Sequence, residues 1–346
     1  MGPDSQAAET PSTSHSSPAN ARAAGPARPL GWGALGLVAL VCAAWGANAS
    51  FIKISNEGMP PLYAASLRNA VAAAVLAGIM VSRGIPIVHR DRRFWYGIAF
   101  ALFFGCNFLL FYGGTAYTTA SRTVLFLYTQ PLWTALMAHF LLRDERLTRR
   151  RVFGLGVAFG GLVLAFSSHS GAVGGKHVVG DVLELGAGLL WGASIMYYRR
   201  TLDRYTFTAS SALFYQLAFS VPVLLAGAWL LDPHPVVEVH VAVAASLLYQ
   251  TLVGALASYL LWNWLLARYS VTSLASFTLL TPLFGVLAAW LVLGESIEAM
   301  LVVSLGLVMA GLYMVTGPGR SGSGPELLTG GARAVSGAPH TRAGSG

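Results

Sequence analysis

Several residues that are costly inside an apolar helix interrupt the hydrophobic runs of this chain, among them Arg68 and Glu184. A cation in hydrocarbon costs roughly 2.5–3.5 kcal/mol, so such a residue usually faces the interior of a helix bundle. Arg68 could bind a substrate carboxylate or phosphate, or it could bond backbone carbonyls and fix helix packing. Glu184 is a candidate for proton coupling, and simple exposure at the membrane interface is the alternative.

A proline in the same apolar run as Gln130 adds a second kind of signal. Pro131 lacks a backbone donor and frees the carbonyl of Leu127, four residues earlier. In lipid that carbonyl needs a partner, so the kink belongs against other helices or a cavity, or else serves packing alone. Pro282 repeats the feature late in the chain. Arg122, at the start of the Pro131 run, is expected to anchor its helix by reaching the headgroups, with guarding an external entrance as the alternative.

Two tryptophans, each followed by a small polar residue, complete the candidate site. Trp45 precedes Asn48, and Trp191 precedes Ser194. A buried tryptophan can stack on a substrate or simply fill space. The candidate substrate-binding residues share a polar or aromatic side chain inside an apolar run: Trp45, Asn48, Arg68, Gln130, Trp191, Ser194, Tyr259 and Asn263.

The elements that must hold these side chains are membrane-spanning helices. The chain is 55% hydrophobic and only 10% charged, whereas soluble domains carry about 25% charge. A spanning helix needs about 20 mainly apolar residues, and we predict ten spans, at about 31–51, 61–82, 95–112, 119–142, 151–167, 180–198, 208–231, 241–264, 272–293 and 299–317. Residues 1–29 and 318–346 have the composition of disordered cytoplasmic tails.

The distribution of cations predicts how these spans are oriented. The arginines between the spans fall in alternate loops, and one more lies shortly after the last span: Arg83, Arg90, Arg92, Arg93, Arg143, Arg146, Arg149, Arg150, Arg151, Arg199, Arg200, Arg204, Arg268 and Arg320. The opposite loops hold only Lys53 and Lys176. Since cations favour the cytoplasmic side, both termini are expected there. This pattern explains the net charge of +8 without a nucleic-acid partner.

The sequence also contains two copies of one unit. Trp-Gly-Ala occurs at Trp45 and at Trp191, and a proline followed by a glutamate occurs twice, ending at Glu145 and Glu295. Residues 30–170 and 178–317 are therefore predicted to be two five-helix repeats. Because five is odd, the copies enter the membrane from opposite sides. The expected fold is an all-α integral membrane protein with inverted repeats, an architecture typical of secondary transporters.

These motifs resemble those of the ten-helix EamA-type exporters of the drug/metabolite transporter superfamily. The resemblance rests on the Trp-Gly-x-Asn/Ser openings, on Arg68 after "PPLYAAS", and on the duplicated Pro…Glu…Gly pattern at 131–161 and 282–311. It implies a carrier in the plasma membrane. The excess of arginine over lysine and the abundance of alanine and glycine favour a bacterial source. Similar proteins export amino acids and other small metabolites, or move sugars, so the substrate stays open.

We predict a secondary transporter that exports a small polar metabolite, such as an amino acid, by alternating access. Efflux of lipophilic cationic drugs is one alternative, although similar drug pumps carry a glutamate in the first helix and this chain has none there. A non-transporting scaffold or sensor is another. An enzyme is disfavoured because no nucleotide-binding, metal or nucleophile motif occurs, and no cofactor is expected. Glycines in the fifth and tenth spans favour close helix approach or a homodimer.

Overall fold

The computed structural model describes residues 32–141, 147–167, 175–202, 207–232, 234–266, 269, 274 and 277–316. Its regular elements are helices: α1 (Trp32–Asn56), α2 (Pro61–Ser82), α3 (Arg92–Tyr117), α4 (Ala120–Leu127), α5 (Gln130–Leu141), α6 (Arg149–Ser167), α7 (Lys176–Tyr197), α8 (Ala209–Leu231), α9 (Val241–Tyr249), α10 (Ser258–Leu266), α11 (Leu280–Leu293) and α12 (Ala299–Thr316). Two π-helical segments follow α7 and α9, at Tyr198–Leu202 and Gln250–Ala257.

Most of these helices are suited to lipid on their outer faces. Among the described residues, eight helices are long and apolar enough to cross a membrane, counting α4 with α5 and α9 with α10 as one span each. The 14-residue α11 and α6, which begins with three arginines, complete the bundle. Large apolar side chains such as Leu231 and Phe140 are more than two-thirds exposed, at 78% and 75%. Such helices need an apolar solvent, so the prediction of an all-α membrane protein is confirmed.

The predicted kink in the fourth span is a true break in the helix. α4 ends at Leu127 and α5 begins at Gln130. Thr129 bridges the gap, because its hydroxyl donates to the Phe126 carbonyl at 2.7 Å and its own carbonyl accepts from the Leu132 amide at 2.8 Å. The break packs against α7 at Gly188, where an added Cβ would lie 2.9 Å from the Leu127 carbonyl oxygen.

The glycines of the two Trp-Gly-Ala motifs bring helices of different repeats together. A Cβ on Gly46 would lie 2.6 Å from the Thr281 carbonyl oxygen and from the Gly285 amide nitrogen, so α1 packs directly on α11. A Cβ on Gly192 would lie 3.2 Å from the Gln130 carbonyl oxygen, so α7 packs on α5. Each motif therefore seats its helix against the proline-containing helix of the other repeat.

The remaining contacts join further helices of the bundle. α6 packs on α12, α2 on α8, and α3 on both α7 and α8. The α6–α12 contact is close because a Cβ on Gly311 would lie 2.5 Å from the Gly154 carbonyl oxygen. At least these glycines of the fifth and tenth spans thus serve packing within one chain. A core of buried side chains around Leu76, Tyr112 and Leu224 holds α2, α3 and α8 together.

Candidate functional site

A cavity of about 250 Å³ lies in the middle of the helix bundle. Its wall contains residues from both repeats and is mostly apolar, with eight aromatic residues and several polar groups. The lining residues are Trp45, Asn48, Ala49, Arg68, Phe104, Asn107, Phe108, Phe111, Thr123, Val124, Leu127, Tyr128, Gln130, Pro131, Trp191, Ile195, Gln216, Gly254, Tyr259, Trp262, Thr278, Leu279, Pro282 and Leu312. An apolar pocket with a few polar groups is the usual form of a small-molecule site.

Arg68 places a buried cation in the cavity wall. Its side chain is 4% exposed, and the guanidinium carbon lies 5.0 Å from the centre of the Phe108 ring. Nε donates to the Gln250 carbonyl at 3.1 Å, and Nη1 donates to Asn69 Oδ1 at 3.4 Å. Within the described part of the chain, no carboxylate lies within ion-pairing distance of it. Arg68 thus bonds a backbone carbonyl and also faces the cavity without a counter-ion.

Gln250 is the support that fixes Arg68, and sequence reasoning gave it no such role. It is fully buried and opens the π-helical segment between α9 and α10. Its Oε1 accepts from the Tyr112 hydroxyl at 2.6 Å, and its Nε2 donates to the Ser55 hydroxyl at 3.0 Å. Single π-helical turns inside α-helices are frequent at functional sites. Here the π segment contains the carbonyl that orients the arginine.

The aromatic residues of the cavity are fixed by one another. Trp45 donates from Nε1 to the Ser258 hydroxyl at 2.8 Å, and its ring centre lies 5.6 Å from that of Tyr259 and 5.4 Å from that of Trp262. Beside them, Asn48 Oδ1 is buried, and no described residue donates a hydrogen bond to it. A buried amide oxygen of this kind is available to a donor group on a bound molecule.

Most of the predicted substrate-binding residues meet in this one cavity. Trp45, Asn48, Arg68, Gln130, Trp191 and Tyr259 all line it, together with both kink prolines. Ser194 does not line it, because its hydroxyl donates to the Trp191 carbonyl at 2.7 Å within its own helix. The side chain of Asn263 lies outside the described residues.

The sequence reasoning missed the contribution of α3. Phe104, Asn107, Phe108 and Phe111 all line the cavity, and they recur at the spacing of one helix face. Asn107 is held there by a 2.6 Å hydrogen bond from Nδ2 to the Ala187 carbonyl. An asparagine at the centre of this phenylalanine spacing was the signal that could have identified the face.

Arg122 corrects one expectation. It does not reach the headgroups, because its guanidinium is buried in an ion pair with Asp181, with Nη2 2.5 Å and Nε 3.1 Å from Oδ2. Nη2 also donates to the Ala165 carbonyl at 2.8 Å, and Asp181 Oδ1 accepts from the Thr118 hydroxyl at 2.7 Å. Arg122 therefore joins α4 to α7 and does not line the cavity.

Two acidic residues near this ion pair, Glu184 and Glu295, have defined surroundings. Glu184 is 0% exposed, so the alternative of interface exposure is wrong.

Glu295, which follows α11, accepts from the amides of Ala120 and Ser121 at 2.7 and 3.1 Å and from the Ser121 hydroxyl at 2.8 Å. A carboxylate at the first amides of a helix is a stabilising cap. Glu295 therefore caps α4 from the other repeat.

This fold and cavity define a multi-pass membrane transporter: helices suited to lipid surround a buried, partly polar site for a small molecule. The EamA-like transporter family model matches residues 32–167 and 178–317. The chain belongs to the EamA-like transporter family, and the predictions of this family and of a transporter rather than an enzyme are confirmed.

Individual relatives agree with this assignment. The chain is 30% identical over 293 residues to a "Probable amino-acid metabolite efflux pump" of Escherichia coli, covering 80% of this chain and 93% of that protein. It is 29% identical over 287 residues to a protein of the same name from Salmonella typhimurium, with the same shares of each chain covered. A protein of known crystal structure shares the fold with a TM-score of 0.57 at 17% identity, covering 82% of this chain and 96% of that one.

Proposed function

We propose that this transporter exports a small zwitterionic or anionic metabolite, such as an amino acid, by alternating access. The single observation that carries the proposal is Arg68, a buried cation in the cavity wall with no counter-ion in the described part of the chain. A substrate carboxylate supplies the missing negative charge through a charge-assisted hydrogen bond. The relatives named as amino-acid metabolite efflux pumps support the same substrate class.

The rest of the cavity suits such a substrate. Asn48 Oδ1 lacks a partner and can accept a hydrogen bond from a substrate ammonium group. Trp45 and Tyr259 line the cavity with aromatic rings that can pack on an apolar side chain. A volume of about 250 Å³ admits a metabolite of amino-acid size, and it is below the range of roughly 300–1,000 Å³ typical of drug sites.

Efflux of a lipophilic cation is the second candidate, and the aromatic wall is the observation that favours it. Arg68 repels a cation, and none of the described lining residues is acidic. The amino-acid class therefore fits the charges of the cavity better.

The membrane orientation belongs to the same proposal. We place the protein in the plasma membrane of a bacterium with both termini in the cytoplasm, because the arginines follow alternate spans. The repeats 30–170 and 178–317 are then inverted copies, which the equivalent packing of α1 on α11 and α7 on α5 supports. Single cysteines at positions 176 and 149, in a background without Cys42 and Cys106, should react from opposite sides; reaction from one side would contradict the orientation.

Counterflow in proteoliposomes tests the function. Vesicles loaded with one unlabelled compound are assayed for uptake of the same labelled compound, using amino acids, sugars and quaternary amines in turn. Exchange of one or more amino acids, saturable and lost in empty liposomes, is expected. Exchange of quaternary amines alone would favour the second candidate. No exchange of any compound by folded protein would contradict transport of all three classes.

A further inference from the structure

Glu184 is a carboxyl group buried in the bundle, and no described residue forms an ion pair with it. It is 0% exposed, and its Oε1 accepts from the Thr115 hydroxyl at 3.0 Å. Its Oε2 is buried without a hydrogen-bond partner. A buried ionised carboxylate without a counter-ion is strongly disfavoured, and such a group is kept neutral instead.

In the part of the chain that the structure describes, the charged groups around Glu184 do not supply a counter-ion. From its own helix, Asp181 lies one turn away and is already paired with Arg122 of α4. α3 presents Thr115 and the backbone of Gly114, where an added Cβ would lie 2.7 Å from Glu184 Oε1. In α5 the titratable side chain is His139, whose Nδ1 accepts from the Leu147 amide instead. The neighbouring cation is thus committed to Asp181, and the surroundings of Glu184 favour the neutral form of its carboxyl group.

Thr123 connects this carboxyl group to the substrate cavity. Its side chain lies at the cavity wall, and the residue is fully buried. Its hydroxyl lies close to Glu184, and, like Oε2, it is buried without a hydrogen-bond partner of proper geometry. A proton on Oε2 needs an acceptor and the Thr123 hydroxyl needs a donor, so a small rotation satisfies both.

We infer that Glu184 is a proton-binding site that exchanges its proton with the transport cavity through the Thr123 hydroxyl. The inference rests on the proposed export function and adds its coupling ion. In the proton-loaded state Oε2 carries the hydrogen. On release the Oε2–H bond breaks and its electron pair stays on the carboxylate. The proton bonds to the Thr123 hydroxyl oxygen while the original hydroxyl proton passes to water in the cavity, so the hydroxyl is regenerated. Loading and release on opposite sides of the membrane couple the proton gradient to export.

Infrared spectroscopy of the purified full-length protein tests the site without any substrate. A protonated carboxylic acid has a carbonyl stretch that is separate from those of carboxylates and amides. We expect this band at neutral pH in the wild type and its loss in Glu184→Gln. Glu57→Gln is the matched control, because Glu57 is exposed and the same substitution should leave the band unchanged. A wild-type spectrum without a band that Glu184→Gln removes would overturn the inference, whatever the transport assays give.

Transport assays then test the coupling, with a labelled amino acid that the wild type exchanges. Glu184→Gln should keep counterflow, because exchange needs no net proton movement, and should lose accumulation driven by a pH gradient at least tenfold. Thr123→Val should slow gradient-driven transport, and Thr123→Ser should restore it. Equal loss of both activities in Glu184→Gln would indicate a packing role and overturn the inference. A wild-type protein that performs counterflow but does not accumulate the amino acid in response to a pH gradient would also overturn the inference. That result would leave the export proposal standing.

Discussion

The Arg122 guanidinium and the Asp181 carboxylate meet inside the protein, with Nη2 2.5 Å from Oδ2 and both side chains almost fully buried. The pair joins α4 of the first repeat to α7 of the second. Desolvation offsets much of the attraction in a buried pair, but removing one partner leaves the other charge uncompensated. Replacing both residues should therefore lower the stability of the protein less than removing only one of them.

A double-mutant cycle tests this connection. Asp181→Asn and Arg122→Met should each lower the free energy of unfolding by about 3–5 kcal/mol, because each leaves a buried charge unpaired. The double variant should be clearly more stable than the sum of the two losses predicts. Denaturant unfolding in detergent measures all four proteins. Additive losses would show that the two groups are not coupled.

Transport is expected to require both the positive charge of Arg68 and the forked geometry of its guanidinium. Arg68→Met should abolish amino-acid counterflow. Arg68→Lys should recover part of it at most, since lysine keeps the charge but lacks the fork that bonds Gln250 and a carboxylate together. Arg83→Lys is the control, because Arg83 is exposed in the loop after α2. Wild-type rates in Arg68→Lys and Arg68→Met together would refute substrate binding by this residue.

The contact of Gly46 with α11 should not accept a side chain. Gly46→Ala places a methyl group 2.6 Å from two backbone atoms of α11, and overpacking of this kind costs about 1–3 kcal/mol. Gly78→Ala is a matched helical control with nothing within 4 Å of the new atom, and it should be neutral or stabilising. Thermal unfolding of both variants in detergent compares them. Equal melting temperatures would mean that α1 can move away from α11 at no cost.

By capping α4, Glu295 should limit access from outside to the cavity. Glu295→Gln weakens the cap on Ala120 and Ser121, and loss of a helix cap costs about 1 kcal/mol. We expect a cysteine at position 49, in the cavity wall, to react faster with an impermeant thiol reagent added outside. The matched control is Glu298→Gln, since Glu298 is exposed nearby. Identical labelling rates in the two variants would rule out a closing role for Glu295.

The sequence predicts the spans and the aromatic residues of the site because these follow from local patterns. Apolar runs mark helices wherever the solvent is lipid, and Trp45 and Trp191 stand at equivalent points of a visible repeat. The partner of Arg122 could not be predicted in the same way. Asp181 is far along the chain and on a different helix, and nothing local distinguishes a buried arginine from one that reaches the headgroups.

Ser194 shows a different limit of the same reasoning. It stands where Asn48 stands in the first repeat, so the sequence suggests equal roles. The serine hydroxyl is short and bonds the carbonyl of Trp191 in its own helix. The longer amide of Asn48 extends into the cavity. Repeats thus predict position, whereas the side-chain length decides which group faces the substrate.

The contacts of Gly46 and Gly192 have a consequence for biosynthesis. α1 enters the membrane early in synthesis, but the α11 surface that receives Gly46 is made only near the end of the chain. Until α11 is made, the Gly46 surface of α1 therefore contacts lipid or insertion factors instead of its final partner. Neither repeat made alone contains the surface that completes it, so two separately produced halves should become protease-resistant only when they are made together.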